Sequence, residues 1–244
     1  MKLDIVIPVY NEGSNILPVL ESFRRELRFP YRVLVCYDFD EDTTLAALGP
    51  LSKEEYHYEL VKNKGRGVMD AIRAGLVRTT ADFVITFPAD DDFNAPRLPA
   101  MIAKAEEGND IVSGSRFIPG GCMTNCPWLK AVLVRTSSFF LYHIARVPSH
   151  DATNGLRLFS RRVIEQIPIE SQVGFAYSIE LLVKCHRLGW PIAEVPFLWH
   201  ERKAGKSRFK ILNWVPAYLH WVFYALATTW LRRDDIQTVP LTSN

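Results

Sequence analysis

Ile85-Thr86-Phe87-Pro88-Ala89-Asp90-Asp91-Asp92-Phe93 is the stretch that decides the fold. It continues an apolar run, Phe83-Val84-Ile85, and ends it in three consecutive carboxylates. A buried strand that stops in clustered acids presents them at the carboxyl edge of a sheet, where open α/β folds bind ligands. Three adjacent negative charges repel one another unless something positive sits among them. A hard divalent cation fits, because Mg²⁺ takes carboxylate oxygens and keeps room for phosphate oxygens. The same acids also suit a plain loop ahead of a helix starting at Pro96, since helix starts favour negative charge. The stretch alone leaves both readings open.

On either side of it the chain alternates strand and helix. Asp4 to Val9 reads as a buried strand, followed by helical spacing of Ile16, Leu17, Leu20, Phe23 and Leu27. Tyr31 to Tyr37 is a second strand, ending in another acidic cluster, Asp38-Phe39-Asp40-Glu41-Asp42. Tyr56 to Val61 is a third, running into Asn63-Lys64-Gly65-Arg66-Gly67 and a helix carrying Met69, Ile72 and Leu76. Asp82 to Phe87 is the fourth strand and Asp110 to Ser113 the fifth, with a helix from Leu98 to Glu107 between them. This is the pattern of a parallel sheet with crossover helices.

Past Ser115 the pattern loosens. An apolar helix is expected from Trp128 to Ile144, interrupted by Lys130, Arg135 and His143. A strand follows at Gly155 to Ser160, a helix at Phe175 to Leu188, and another strand through Ile192, Val195, Phe197 and Trp199. A basic segment, Arg202 to Lys210, then precedes the aromatic stretch Ile211 to Leu231. As a helix that stretch would reach about 31 Å, just enough to cross a bilayer. Asn213, Pro216 and His220 interrupt it, and basic residues flank both ends. An interfacial helix on a membrane, a packed core helix and a true span all stay open, with the interfacial form favoured. The expected division is a catalytic domain at 1–210, a membrane-interfacial segment at 211–233 and a tail at 234–244.

Composition narrows the class. Of the 244 residues, 48% are hydrophobic and 23% charged, enough to bury a sizeable core. The net charge of +2 argues against bulk nucleic-acid binding, which needs a basic face. Cys36, Cys122, Cys126 and Cys185 lack metal-site spacing and read as incidental or buried thiols. No charged-then-apolar leader precedes the first strand, so no signal peptide is expected.

Six motifs in order resemble one family. Ile7-Pro8-Val9-Tyr10-Asn11-Glu12 resembles the opening of family 2 glycosyltransferases with the GT-A fold. Asn63-Lys64-Gly65-Arg66-Gly67 is similar to their glycine-rich segment, and Ala89-Asp90-Asp91-Asp92 to their DxD-type metal motif. Asp110 to Arg116, Asp151 to Phe159 and Arg202 to Ser207 resemble segments of the dolichol-phosphate mannosyltransferase branch. There are two departures. Tyr37-Asp38-Phe39-Asp40 stands where the family shows Asp-Asp-Gly-Ser, and Asp90-Asp91-Asp92 where it often shows Asp-Ala-Asp.

The resemblance implies a Rossmann-like GT-A sheet, mixed but mainly parallel. It implies an inverting, Mg²⁺- or Mn²⁺-dependent transfer of a hexose, mannose or glucose, from a nucleotide-diphosphate sugar to a polyprenyl phosphate. The expected place is the cytoplasmic face of a membrane. A hydroxyl acceptor, or a non-catalytic nucleotide-sugar-binding protein, is the alternative.

For such chemistry Asp90 and Asp92 are the first choice at the metal, with Asp91 as an orienting or alternative ligand and His200 as a possible addition. Pro8, Tyr10, Glu12, Asp38, Gly65 and Gly67, with Asp90, would line the donor pocket. For Asp38 a turn-capping role is the structural alternative, and for the two glycines a tight turn before a helix. A phosphate monoester is largely dianionic near neutral pH and needs cations more than a base. Arg116, Arg135, Arg202 and Lys206 are the candidates to hold it, against the ordinary reading of each as a solvated charge. Asp151 would orient the acceptor or act as a base, and Glu180 is a second candidate base whose ordinary reading is helix surface.

Overall fold

The computed structural model describes residues 2–200 and 211–230. Seven strands form one sheet: β1 (Leu3–Pro8), β2 (Tyr31–Tyr37), β3 (Tyr58–Lys62), β4 (Phe83–Thr86), β5 (Ile111–Ser115), β7 (Arg157–Ser160) and β8 (Ile192–Pro196). Their order is β3-β2-β1-β4-β7-β5-β8. All neighbours are parallel except β7, which runs antiparallel to β4 and β5 between them. The expected mixed, mainly parallel GT-A sheet is therefore present, and the Gly155-to-Ser160 strand supplies the mixing. The stretch read as one strand through Trp199 divides. β8 ends at Pro196, and β9 (Leu198–His200) pairs with β6 (Cys122–Thr124) in a separate two-stranded sheet.

The central strands are mostly apolar because both faces are covered, with Asp4 in β1 and Arg157 in β7 as buried charges. Side chains alternate with period two. Ile5, Ile7, Val33, Val35 and Ile85 pack with the core that holds α1 (Ile16–Glu26) and α5 (Leu98–Glu106). Val6, Leu34, Cys36 and Val84 pack with the core that holds α4 (Val68–Arg78), α8 (Ala176–Arg187) and α9 (Ile211–Trp230). Two shorter helices, α2 (Thr43–Leu48) and α3 (Lys53–Tyr56), cross from β2 to β3, and α7 (Arg161–Gln166) follows β7. Cys36 and Cys185 are buried, and burial pushes the Cys36 thiol up to about 12, as an inert core residue requires.

Chain order reverses between β1 and β4, so their carboxyl ends flank a crevice at the sheet's switch point. The helix expected from Trp128 is α6 (Trp128–Phe139), continued by a π-helical turn at Phe140–Ile144. Helix α9 turns Trp221, Val222 and Ala225 into the core and leaves Leu219, Phe223 and Trp230 exposed. No helix among the described residues is long and apolar enough to cross a membrane.

Candidate active site

At the switch point lies a cavity of about 1670 Å³. Three loops shape its polar edge. The first follows β1, where Asn11 takes a left-handed turn (φ 53°). Its backbone N–H donates to Asp42 Oδ2 at 2.9 Å, and Glu12 N–H donates to Thr44 Oγ1 at 3.1 Å. Asp42 also caps α2 by accepting from Thr44 N–H at 2.8 Å. The β1 and β2 loops are thus one unit, and Pro8, Tyr10, Glu12 and Asp38 all line the cavity. Asp42, buried and read only as part of an acidic cluster, is the residue that locks them.

The second loop is the glycine-rich segment. Asp38 accepts from Asn63 Nδ2 through one oxygen and from Gly67 N–H at 2.7 Å through the other. Gly67 lines the cavity at φ +91°, which only glycine adopts easily. Its amide donates to Asp38, which itself lines the cavity. Gly65 does not line the cavity. A Cβ there would lie 2.1 Å from Asp70 Oδ2, so glycine is needed for that contact. Asp70 in turn holds Arg66 N–H at 3.0 Å.

The third loop carries the acids after β4. All three line the cavity, yet they differ. Asp90 is half-buried and Asp92 exposed. Asp91 is buried, and its Oδ1 accepts from Phe93 N–H at 3.3 Å and Asn94 N–H at 2.9 Å. Its Oδ2 accepts from Asn94 Nδ2 at 2.7 Å. Burial pushes its carboxyl up to about 7, against the pull of the Asn94 bonds. Asp91 therefore builds the turn, the orienting one of the two roles expected for it, with both oxygens engaged by Phe93 and Asn94. Among the described residues no three His, Cys, Asp or Glu side chains converge as a metal cage. His200 lines the cavity, but its Nδ1 is 2.5 Å from Thr124 Oγ1 and its ring packs on Phe93. A cation here would rest on Asp90 and Asp92 and complete its shell with phosphate and water oxygens, which suits Mg²⁺ or Mn²⁺.

The far end of the cavity is apolar. Leu133 and Val134 of α6 face Trp214, Val215, Leu219 and Val222 of α9 across it. Lys130 stands among them with its ammonium 4.3 Å from the Trp199 ring centroid. The sequence offers Lys130 only as an interruption of α6; its distance of three and four residues from Leu133 and Val134 is the signal that puts it on the same face.

Arg116 lines the cavity but is tied from behind. Its Nε and Nη2 donate to the two oxygens of Asp151 at 2.6 and 2.7 Å, its N–H to Asp151 Oδ2 at 2.9 Å, and Nη2 to Thr153 Oγ1 at 3.1 Å. Asp151 is completely buried and does not reach the cavity, so it is neither base nor acceptor contact. It fixes Arg116. Arg157, also completely buried, braces the same turn by donating to the Ala152 carbonyl at 2.6 Å and to Ser113 Oγ at 3.0 Å. Burial pulls Arg157 down to about 10, which leaves it cationic at neutral pH. Its place inside a strand of apolar residues was the unread signal.

Two further expectations are corrected. Glu180 is neither base nor surface: it is completely buried and accepts from Lys184 Nζ at 2.7 Å, Glu170 N–H at 2.6 Å and Ser171 N–H at 2.8 Å. Arg135 lies on another face of α6 and does not line this cavity. Arg202 and Lys206 lie outside the described residues.

The fold has solved counterparts. Glucosyl-3-phosphoglycerate synthase from Mycobacterium tuberculosis, in complex with Mn²⁺, uridine diphosphate and phosphoglyceric acid, matches with a TM-score of 0.67 at 18% identity, over 99% of this chain and 87% of that one. The same enzyme with Mg²⁺ and uridine diphosphate matches with a TM-score of 0.60 at 20% identity, over 96% of this chain and 81% of that one. In sequence, the chain is 27% identical to the polyprenol monophosphomannose synthase of Mycolicibacterium smegmatis, over 86% of this chain and 85% of that protein. It is 26% identical to the dolichol-phosphate mannosyltransferase of Pyrococcus furiosus, over 86% of this chain and 60% of that protein. The model of glycosyl transferase family 2 matches residues 4–168, which is more than half of the chain, and with the switch-point cavity built as described the protein belongs to that family.

Proposed function

We propose that this glycosyltransferase moves a hexose from a nucleotide-diphosphate sugar to a polyprenyl phosphate, with inversion, at the cytoplasmic surface of a membrane. The observation that carries the reading is the two-ended cavity. It is larger than the roughly 300–1,000 Å³ typical of a small-ligand site, and its polar edge continues into an apolar end between α6 and α9. A nucleotide sugar accounts for the polar edge, and an isoprenoid chain for the apolar end. The names of the two relatives favour mannose as the sugar.

In this reading Pro8, Tyr10, Glu12 and Asp38 seat the nucleotide, and Asp90 and Asp92 hold Mg²⁺ or Mn²⁺. The ion supplies Lewis-acid neutralisation of the departing diphosphate. Arg116, fixed by Asp151, and Lys130 draw the acceptor phosphate to the junction of the two ends. Arg202 and Lys206 remain further candidates for it. Every carboxylate lining the cavity belongs to the donor edge. A dianionic phosphate needs no base, so this arrangement favours it over a hydroxyl acceptor. Trp128, Leu129, Val132 and Phe139 of α6 and Phe223 and Trp230 of α9 are exposed, as helices resting on a bilayer would be.

The test is a panel of GDP-, UDP- and dTDP-sugars with Mg²⁺ or Mn²⁺, with and without polyprenyl phosphate, scored for lipid-linked product. Product from one donor, dependent on the lipid phosphate, is expected. Glycosylation of a soluble hydroxyl compound alone would sink the acceptor reading.

A further inference from the structure

Helix α6 has two working faces. Lys130, Leu133, Val134 and Ser137 look into the catalytic cavity. Arg135, Ser138 and Phe139, with Tyr142 and His143 of the π-helical turn, look into a second cavity of about 570 Å³. Residues 130, 133, 134 and 137 share one helical stripe, and 135, 138, 139 and 142 share another. Among the described residues only Arg116 lines both cavities.

The second cavity's lining is built for an anion. It holds Arg116, Arg135, His143 and His150 and, among the described residues, no carboxylate. The nearest acids stand behind the cations and orient them. Asp151 grips Arg116, and Glu194 Oε2 sits 2.6 Å from His150 Nδ1. Both guanidinium groups converge on the Phe117 ring, at 5.4 Å for Arg116 and 5.1 Å for Arg135. The His150 ring stacks on Tyr142 with centroids 4.0 Å apart, and His143 lies between the rings of Tyr142 and Phe139. Arg135 has no carboxylate partner among the described residues. The decisive detail is Ser138. It is 3% exposed, and its buried Oγ has no hydrogen-bond partner among the described residues. A buried polar group without a partner costs free energy unless a ligand or water satisfies it.

We propose that this cavity is a second anion site, which takes the phosphate of a phosphomonoester or phosphodiester through Arg135, Ser138 and the two histidines. Phosphate offers oxygens to a planar guanidinium and to a hydroxyl at once, which a chloride ion does not. The site backs onto the catalytic cavity through Arg116 but is separate from it, and it does not depend on the identity of the acceptor. Free phosphate and an anionic lipid headgroup present the same atoms. Exposed Phe139 on the rim sets the site at the apolar face of α6.

The experiment is calorimetric titration of the full chain with inorganic phosphate, with wild type, Arg135→Gln, Ser138→Ala and Lys130→Gln compared. Saturable binding by wild type is expected, with a component weakened about tenfold by Arg135→Gln, weakened less by Ser138→Ala and still present in Lys130→Gln, which removes only the phosphate held in the catalytic cavity. Arg135 is exposed, so its loss leaves the fold intact, and circular dichroism checks that. Absence of binding by wild type overturns the proposal. So does binding that survives Arg135→Gln and disappears with Lys130→Gln, which would put the anion in the catalytic cavity. Co-flotation with phosphatidylcholine vesicles, with and without phosphatidate, separates the sources. A phosphatidate-dependent gain that Arg135→Gln removes assigns the headgroup; vesicle binding indifferent to Arg135→Gln, with the phosphate titration still altered, assigns free phosphate. Because the readout is binding, failure here is distinct from failure of glycosyl transfer.

Discussion

The donor edge and the region behind α6 and α8 both hold conspicuous carboxylates, and they use them in opposite ways. At the donor edge Asp90 and Asp92 face a cavity at the end of β4. Behind α6 and α8, Asp151 and Glu180 are completely buried against Arg116 and Lys184. The first pair is placed to meet a ligand's charge. The second pair is already neutralised inside the protein and acts on function only through the cations it holds. In sequence the four look alike, and the difference is made by which strand end or turn carries them.

The sharpest break in this comparison is within the triad itself. Asp90→Asn and Asp92→Asn should each lower kcat/KM by about 10³-fold, roughly 4 kcal/mol, because in the proposed reading the metal loses a carboxylate. Asp91→Asn should keep transfer within about tenfold and lower the melting temperature instead, since its oxygens serve Asn94 and Phe93. Steady-state kinetics at varied Mn²⁺ decides. Equal losses at all three positions would erase the distinction between ligand and turn builder.

Next in size are the buried pairs. Removing one partner of such a pair leaves the other charge uncompensated, at about 3–5 kcal/mol. Asp151→Asn should lose about that much in urea unfolding, and Glu180→Gln less, because Lys184 keeps Glu170 as a second partner at 2.8 Å. They should then part company. Asp151→Asn loosens Arg116 and should raise the acceptor KM, with the pH profile of kcat unchanged in shape. Glu180→Gln should leave the kinetics of the folded fraction intact, because its ion pair lies beneath Trp221 rather than at the cavity. Loss of a pH limb in Asp151→Asn would make it a base after all.

Much of this was legible beforehand. Apolar runs alternating with helical spacing marked five parallel strands, because a strand covered on both faces is mostly apolar. The acids at the ends of β2 and β4 located the site, because strand ends carry ligands in such sheets. What stayed hidden was direction. Asp91 and Asp92 are neighbours, yet one folds back to Asn94 and the other faces out, and only the turn geometry separates them. Arg135 and Lys130 both interrupt α6, yet they face different cavities. Periodicity places them on different stripes without saying what each stripe meets. Asp151 and Glu180 were invisible as buried acids because their partners are distant in sequence or masked by an ordinary helical spacing of four.

Asp4 offers a smaller third case, at the end of β1 away from the cavity, and it isolates a buried carboxylate with no part in binding. It is 3% exposed and accepts from Arg32 at 3.0 and 2.8 Å, from Thr79 Oγ1 at 2.6 Å and from Thr80 N–H at 3.1 Å. Burial pushes its carboxyl up, but the Arg32 bond, then Thr79 and Thr80, hold it below its ordinary value. A depressed folded pKa means that the native state favours the carboxylate, so this stability is fully present above the unfolded value and is lost as pH falls through the folded one. Asp4→Asn should therefore cost about 2 kcal/mol at neutral pH. The gap to wild type should begin to close below about pH 4, where the unfolded carboxyl protonates. Urea unfolding of both proteins between neutral and acid pH measures it. A gap that stays constant with pH would mean that shape at Asp4, rather than its charge, carries the stability, while metal and donor affinities should be unmoved in either case.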